Sequence, residues 1–257
     1  MDHIPFPRET TRVAFAGDWH ADARYAIRAI HWAGKQGAQV VLHTGDFGYQ
    51  FSPGFLGELD RAAGRAGLLV AFVDGNHENF DWLLDQPVSE DGVRRLTSRV
   101  WHLPRGLRWS WSGLTFLALG GATSLDASWR TPGAEWWPQE SIKPRDVSRA
   151  INGGPVDVVI THDCPEGVDV PGIDGNSYGF PATALDWAAI HRQGLGRVVQ
   201  TVRPRWLWHG HYHVNHSAEL AYPDGTSCQV RGLDMNGTEF RVNMDVVDLG
   251  DLPGASG

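Results

Sequence analysis

The sequence predicts an α/β fold whose functional groups gather at one edge of a sheet. Apolar runs of strand length alternate with stretches of helical character in the order strand, helix, strand, helix, strand, which implies a βαβαβ unit. Each of those runs leads into a glycine and a ligand-type residue, at Gly17-Asp18, Gly45-Asp46 and Gly75-Asn76. Short alternating or apolar segments bounded by Gly and Pro continue through the second half, as further strands do.

Composition narrows the class. At 257 residues and 42% hydrophobic, the chain can bury a large core as one domain. A net charge of −8 argues against a sequence-independent binder of long nucleic acid. Bound cations can still recruit a phosphorylated substrate. Cys164 and Cys228 are the only cysteines and form neither a disulfide framework nor a paired zinc motif, which points to a reducing compartment. The N-terminus lacks a signal-peptide pattern, and no apolar run approaches the ~20 residues that span a bilayer. The expectation is a cytoplasmic protein with no membrane partner.

Arg12 to Ala16 reads as a short strand running into Gly17-Asp18-Trp19-His20. Asp18 and His20 lie two apart, so in an extended segment both side chains point to one side. A carboxylate with an imidazole suits Mn, Fe, Zn or Ni. Asp22 opens a helix with Ile27, Ile30, Trp32 and Ala33 on its apolar side, ending at Gly34 or Gly37. Gln39 to His43 is the second strand and leads to Thr44-Gly45-Asp46-Phe47-Gly48; a helix follows around Pro53 to Gly64. Leu68 to Val73 is the third strand. It delivers Asp74-Gly75-Asn76-His77-Glu78 to the carboxyl edge, where α/β sheets bind ligands. Taken alone, that cluster also fits a polar turn in which Asn76 or Asn79 caps the next helix.

Arg99 to Trp111 and Leu114 to Leu119 read as hairpin strands, followed by a Trp-rich insert over residues 120–145. Trp129, Trp136 and Trp137 fit core or interface area, a homo-oligomer contact included. Arg130 fits either a phosphate-binding fork or an ion pair with Asp126 or Glu135. Val156 to Ile160 is another strand, ending in Thr161-His162-Asp163-Cys164-Pro165. A mobile glycine-rich loop from Gly167 to Phe180 and a helix from Pro181 to His191 follow. Arg205 to Trp208 leads into His209-Gly210-His211-Tyr212-His213, where the His-x-His pair shares one side; His209 and His216 read as bystanders. Ala218 to Val247 reads as antiparallel strands with turns at Pro223-Asp224-Gly225 and Asn236-Gly237, and the tail over residues 250–257 is expected to fray.

Asp18, His20, Asp46, Asn76, His77, His162, His211 and His213 thus stand mostly at the ends of apolar strands. A structural zinc site needs fewer imidazoles and prefers cysteines, which these blocks do not supply. The set suits two metal ions that share a carboxylate and leave positions open for substrate oxygens.

Asp18-x-His20, Gly45-Asp46, Gly75-Asn76-His77-Glu78, His162 and Gly210-His211-x-His213 resemble the calcineurin-like metallophosphoesterases, with all five blocks in order between residues 17 and 213. The resemblance implies a four-layer sandwich of two mixed β-sheets flanked by helices. It implies two divalent cations, manganese first among iron, zinc, nickel and magnesium. Asp18, His20, Asp46 and His213 would hold one cation, and Asp46, Asn76, His162 and His211 the other, with Asp46 bridging. His77 would be the general acid, oriented by Glu78. Gly-Asn-His-Glu is similar to the Ser/Thr protein phosphatase form. However, Gly45-Asp46-Phe47-Gly48-Tyr49 lacks the Asp-Arg-Gly of those enzymes, and Gly-His-x-His resembles the phosphodiesterase and small bacterial or phage branch.

The expected activity is hydrolysis of a small or nucleotide-like phosphoester, mono- or diester, by in-line attack of hydroxide on phosphorus with His77 protonating the leaving oxygen. Three readings compete with it. A Ser/Thr protein phosphatase lacks its second motif here, and a scaffold that has lost catalysis would lack a ligand. A nuclease acting on short nucleic acid would stack bases on Trp136 and Trp137.

Overall fold

Period-two alternation along the strands decides which layer each residue joins. Val13 and Phe15 of the first strand enter a core between two sheets, whereas Ala14 and Ala16 face helices on the outer side. The computed structural model describes residues 10–172, 176 and 179–254.

The first sheet takes β1 (Arg12–Ala16), β2 (Val40–His43), β3 (Leu69–Phe72), β4 (Arg94–Arg95) and β5 (Val100–His102). Between them run α1 (Ala23–Lys35), α2 (Pro53–Ala66) and α3 (Phe80–Asp85). Asp22 caps α1 by accepting from Tyr25 N at 2.9 Å, and Ser52 caps α2 by accepting from Phe55 N at 3.2 Å. The second sheet takes β6 (Arg108–Trp111), β7 (Leu114–Leu119), β8 (Val158–Thr161), β9 (Trp206–His209), β10 (His216–Ala221) and β11 (Ser227–Gly232), with α4 (Pro144–Asn152) and α5 (Ala182–Val202) on its outer face. After α6 (Phe240–Asn243), β12 (Met244–Asp248) returns to the first sheet.

The sheet orders are β12-β1-β2-β3-β5-β4 and β10-β11-β9-β8-β7-β6. In each, four parallel strands are flanked by antiparallel edges, giving two mixed six-stranded sheets. The inter-sheet seam is aromatic. Phe15 stacks on Trp208 with ring centroids 3.7 Å apart, and Trp109 stacks on Phe116 at 5.3 Å. Each such buried ring contributes roughly 1.5–3 kcal/mol relative to exposure. With helices outside both sheets, the layers are α/β/β/α, as the resemblance implies.

Several sequence expectations are corrected. Val100–His102 lies parallel to β3 in the first sheet, so only β6 and β7 form the expected hairpin. Asn236-Gly237 joins no antiparallel pair, because β12 crosses back to pair with β1 rather than with β11. The helix placed over Pro181 to His191 runs on through Val202. Its glycines support packing rather than termination: a Cβ on Gly194 would press on Ile142 Cδ1 at 3.0 Å. The expected fraying from residue 250 does not start there, since Leu252 is 6% exposed in the inter-sheet core. Residues 255–257 of that tail, and 173–175, 177 and 178 of the glycine-rich loop, lie outside the described residues.

Candidate metal centre

Parallel strands of both sheets end at a common edge, and the five sequence blocks meet there. Beyond β1 come Asp18 and His20, beyond β2 Asp46, beyond β3 Asn76 and His77, beyond β8 His162, and beyond β9 His211 and His213. Asp18, Asp46, Asn76 and His162 are each at most 3% exposed. Two clusters bring their ligand atoms within 4.8 Å of one another, Asp18 with His20 and His213, and Asp18 with Asp46 and His162.

Asp46 faces both clusters. Its Oδ2 lies 3.7 Å from His20 Nε2, and its Oδ1 lies 3.4 Å from His162 Nε2. Asp18 Oδ2 lies 3.2 Å from His213 Nε2. Asn76 turns its Oδ1 to within 3.0 Å of His162 Nε2. The His211 ring sits beside that of His162 with centroids 5.0 Å apart, and its main-chain N–H donates to Asp18 Oδ2 at 3.1 Å. Five of the seven expected ligands, Asp18, His20, Asp46, His162 and His213, thus bring ligand atoms together, and Asn76 and His211 lie against His162.

The donor set fits cations. Asp18 and Asp46 are two carboxylates buried side by side, an arrangement that needs nearby positive charge. Burial opposes charging His162, yet the Asp46 and Asp18 carboxylates outweigh it and lift its pKa to about 10. The backbone is strained at the same place. Of the eight non-glycine residues with positive φ among the described residues, four are expected ligands: His20, Asp46, His211 and His213. Such outliers persist where surrounding structure over-determines them, and they concentrate at functional sites. A Cβ on Gly75 would strike the Asp46 carboxylate, and one on Gly210 would strike that of Asp18, so glycine is required for this approach.

The sequence model of the calcineurin-like phosphoesterase family matches residues 11–215, from the first strand past the last histidine of the cluster. This chain belongs to the calcineurin-like phosphoesterases.

Solved structures agree on the fold. A dimetal phosphatase from Danio rerio superposes with a TM-score of 0.59 at 11% identity, covering 94% of this phosphoesterase and 93% of that chain. TT1561 of Thermus thermophilus gives a TM-score of 0.52 at 11% identity, covering 93% and 99%. No curated protein matches significantly.

Around the cluster, the expected division of labour in Gly75 to Glu78 changes. Among the described residues, the Glu78 carboxylate makes no hydrogen bond to His77. It is fully buried, and its oxygens accept Phe47 N and Gly75 N, both at 2.8 Å, so it ties the loops after β2 and β3 together. Asn79, not Asn76, caps α3, accepting from Trp82 N at 3.0 Å. The partner of His77 is Arg130, whose Nη2 donates to His77 Nε2 at 2.9 Å. Burial pulls the His77 pKa down, opposed by Asp46 and reinforced by Arg130. Arg130 also pairs with Asp126 at 2.8 Å, the ion pair expected as one of its two alternatives. Glu135 instead accepts Thr131 N at 2.9 Å.

The tryptophans divide. Trp137 is 2% exposed and donates to Asp81 Oδ2 at 2.9 Å, which fixes the insert to α3 and removes this ring as a base-stacking surface. Trp136 lines a largely apolar cavity of about 830 Å³ between the insert and α5, which also meets Ser124 and Glu140. None of the seven expected ligands lines that cavity. His209 and His216, expected to be bystanders, face each other at 3.1 Å, Nε2 to Nε2.

Three neighbours carried no assigned role in the sequence. Asn236 Oδ1 holds His20 Nδ1 at 2.8 Å, from the segment expected to be a hairpin turn. Ser124 and Glu140, buried in the insert, connect to Asn76. A clue existed only for Ser124, in the small-residue run Gly120 to Ser124 that follows a strand as the other blocks do.

Proposed function

We propose that this phosphoesterase hydrolyses small or nucleotide-like phosphoesters, as a phosphodiesterase or phosphomonoesterase, using two divalent cations with manganese foremost. The observation that carries this reading is the clustering of Asp18, His20, Asp46, His162 and His213, with Asn76 and His211 against His162, beside a partly exposed His77–Arg130 pair. When bound, the cations supply Lewis-acid charge and lower the pKa of water. Asp18, His20, Asp46 and His213 hold one, and Asp46, Asn76, His162 and His211 hold the other.

The chain's own residues do the rest. Arg130 binds phosphoryl oxygens through its planar fork and gives up its bond to His77 as it does so. His77 Nε2, once released, can take up a proton from solvent at this partly exposed position and pass it to the leaving oxygen. No side-chain nucleophile is required. Cys164 and Cys228 are buried, and burial pushes both thiol pKa values up, to about 12 for Cys228, away from reactive thiolate. These free buried cysteines also support a reducing, cytoplasmic setting. No helix among the described residues is long and apolar enough to cross a membrane.

The test combines metal analysis with a panel of aryl monoesters, aryl diesters and cyclic nucleotides. Metal-dependent turnover of at least one class is expected. A chain that holds two ions per molecule and hydrolyses none of them would contradict the reading.

A further inference from the structure

We infer that Glu140 and Ser124 of the Trp-rich insert set the orientation of the Asn76 amide and thereby build one of the two metal positions. The inference rests on the two-metal reading above and assigns a task to residues outside its ligand list.

The logic is one of donors and acceptors. A carboxamide can serve a cation only through its oxygen, so an amide rotated by half a turn would present its NH₂ group instead. Asn76 therefore needs a partner that accepts from Nδ2. That partner is Ser124 Oγ, at 2.9 Å. A serine hydroxyl is an ambiguous partner, because it can donate as well as accept.

Glu140 removes the ambiguity. Its Oε2 accepts the Ser124 hydroxyl at 2.6 Å, and its Oε1 accepts Ser124 N at 2.8 Å. With its single proton committed to the carboxylate, Ser124 Oγ can only accept from Asn76. Its remaining lone pair takes Arg130 Nη1 at 3.3 Å, so the hydroxyl is fully used. Asn76, Ser124 and Glu140 are all at most 3% exposed, so these bonds are shielded from bulk water. The result is an Asn76 Oδ1 turned to the cluster, 3.0 Å from His162 Nε2.

Arg105 anchors the arrangement. It donates to the Glu140 carbonyl at 2.7 Å and to Asp74 Oδ2 at 2.6 Å, two residues before Asn76. The base of the insert and the loop after β3 are therefore held by one guanidinium. Glu140 and Ser124 are positioning residues that act through Asn76.

The test is Mn²⁺ titration of the full chain by calorimetry, with melting temperatures measured alongside. Glu140→Gln keeps the shape but can donate to Ser124 Oγ, releasing the serine proton toward Asn76. Ser124→Ala removes the acceptor, and Ser124→Thr keeps it. Loss of such a supporting contact weakens a metal site about 10- to 100-fold. Glu140→Gln and Ser124→Ala should each weaken one of two ions by that factor and leave the other unchanged. Ser124→Thr should bind both as wild type does, and Glu140→Gln with Ser124→Ala should be no worse than either alone. Two ions held with wild-type affinity by folded Glu140→Gln and Ser124→Ala, with only the melting temperature lowered, would overturn the inference. Equal weakening of both ions would do the same. If Glu140→Gln does not fold, Ser124→Ala against Ser124→Thr decides alone. A wild-type chain that takes up fewer than two ions contradicts the two-metal reading itself and removes this inference with it, whereas wild-type behaviour confined to the variants overturns the inference only.

Discussion

Arg130 Nη2 donates to His77 Nε2 across 2.9 Å, so a residue of the insert covers the nitrogen beside Asn76 from which a leaving oxygen would take its proton. The same guanidinium is held from behind by Asp126 at 2.8 Å. A substrate phosphoryl group would therefore compete with His77 for a side chain already in place.

That competition predicts the Arg130→Ala phenotype. A phosphate clamp contributes binding in the ground state and the transition state alike, so KM should rise with kcat little changed. Inorganic phosphate should also inhibit the variant more weakly. Unchanged kinetics with a lower melting temperature would reduce Arg130 to its ion pair with Asp126.

His77 tests chemistry rather than metal binding. Its Nε2 lies 3.8 Å from Asp46 Oδ2, but Asn76 is the ligand assigned from that loop. His77→Ala should retain both ions and lose about 10²–10⁴-fold in rate on an alkyl or nucleoside ester. A nitrophenyl ester leaves as a stable anion and should lose far less. Equal losses on the two esters, with ions intact, would mean that His77 stabilises phosphoryl charge instead of donating a proton.

Acid sensitivity should involve His191, on α5 behind the insert. Burial brings its pKa down to about 4, and its Nδ1 accepts Ile142 N at 3.4 Å, a position that a second ring proton would block. The ordinary value is about 6.5. Between those limits the unfolded chain binds a proton that the folded chain does not. The contribution is therefore complete above about pH 6.5 and is lost as pH falls toward 4. It amounts to roughly 3 kcal/mol at most. Denaturant melts from pH 7 to pH 4 should show a shallower loss of stability in His191→Asn than in wild type. Parallel curves would remove His191 from the account.

The ends of the parallel strands were legible because glycine followed by a carboxylate or imidazole has few uses at a sheet edge, and five repetitions left one chemistry. Asp18, Asp46, His162 and their companions follow from residue type and order. Glu78 was misread because adjacency to His77 in sequence is not contact: successive side chains diverge, and its oxygens found the amides of Phe47 and Gly75. Asn236 and Glu140 were illegible for another reason. They act across 216 and 64 residues respectively, on His20 and through Ser124 on Asn76, within segments whose local pattern is ordinary. The edge strand β12 also lacked a local mark. Only its register against β1, from Arg12 with Asp248 to Ala16 with Met244, assigns it to the first sheet.

The central claim is that two cations share the carboxylate of Asp46, whose oxygens face His20 at 3.7 Å and His162 at 3.4 Å. Asp18 is the competing bridge, since it belongs to both of the clusters whose ligand atoms lie within 4.8 Å. The most direct measurement is the number of tightly bound Mn²⁺ ions per chain in wild type, Asp46→Asn and Asp18→Asn. The account predicts two ions in wild type, weakened binding of both with no turnover in Asp46→Asn, and loss confined chiefly to one ion in Asp18→Asn. Two tightly held ions in Asp46→Asn would contradict it.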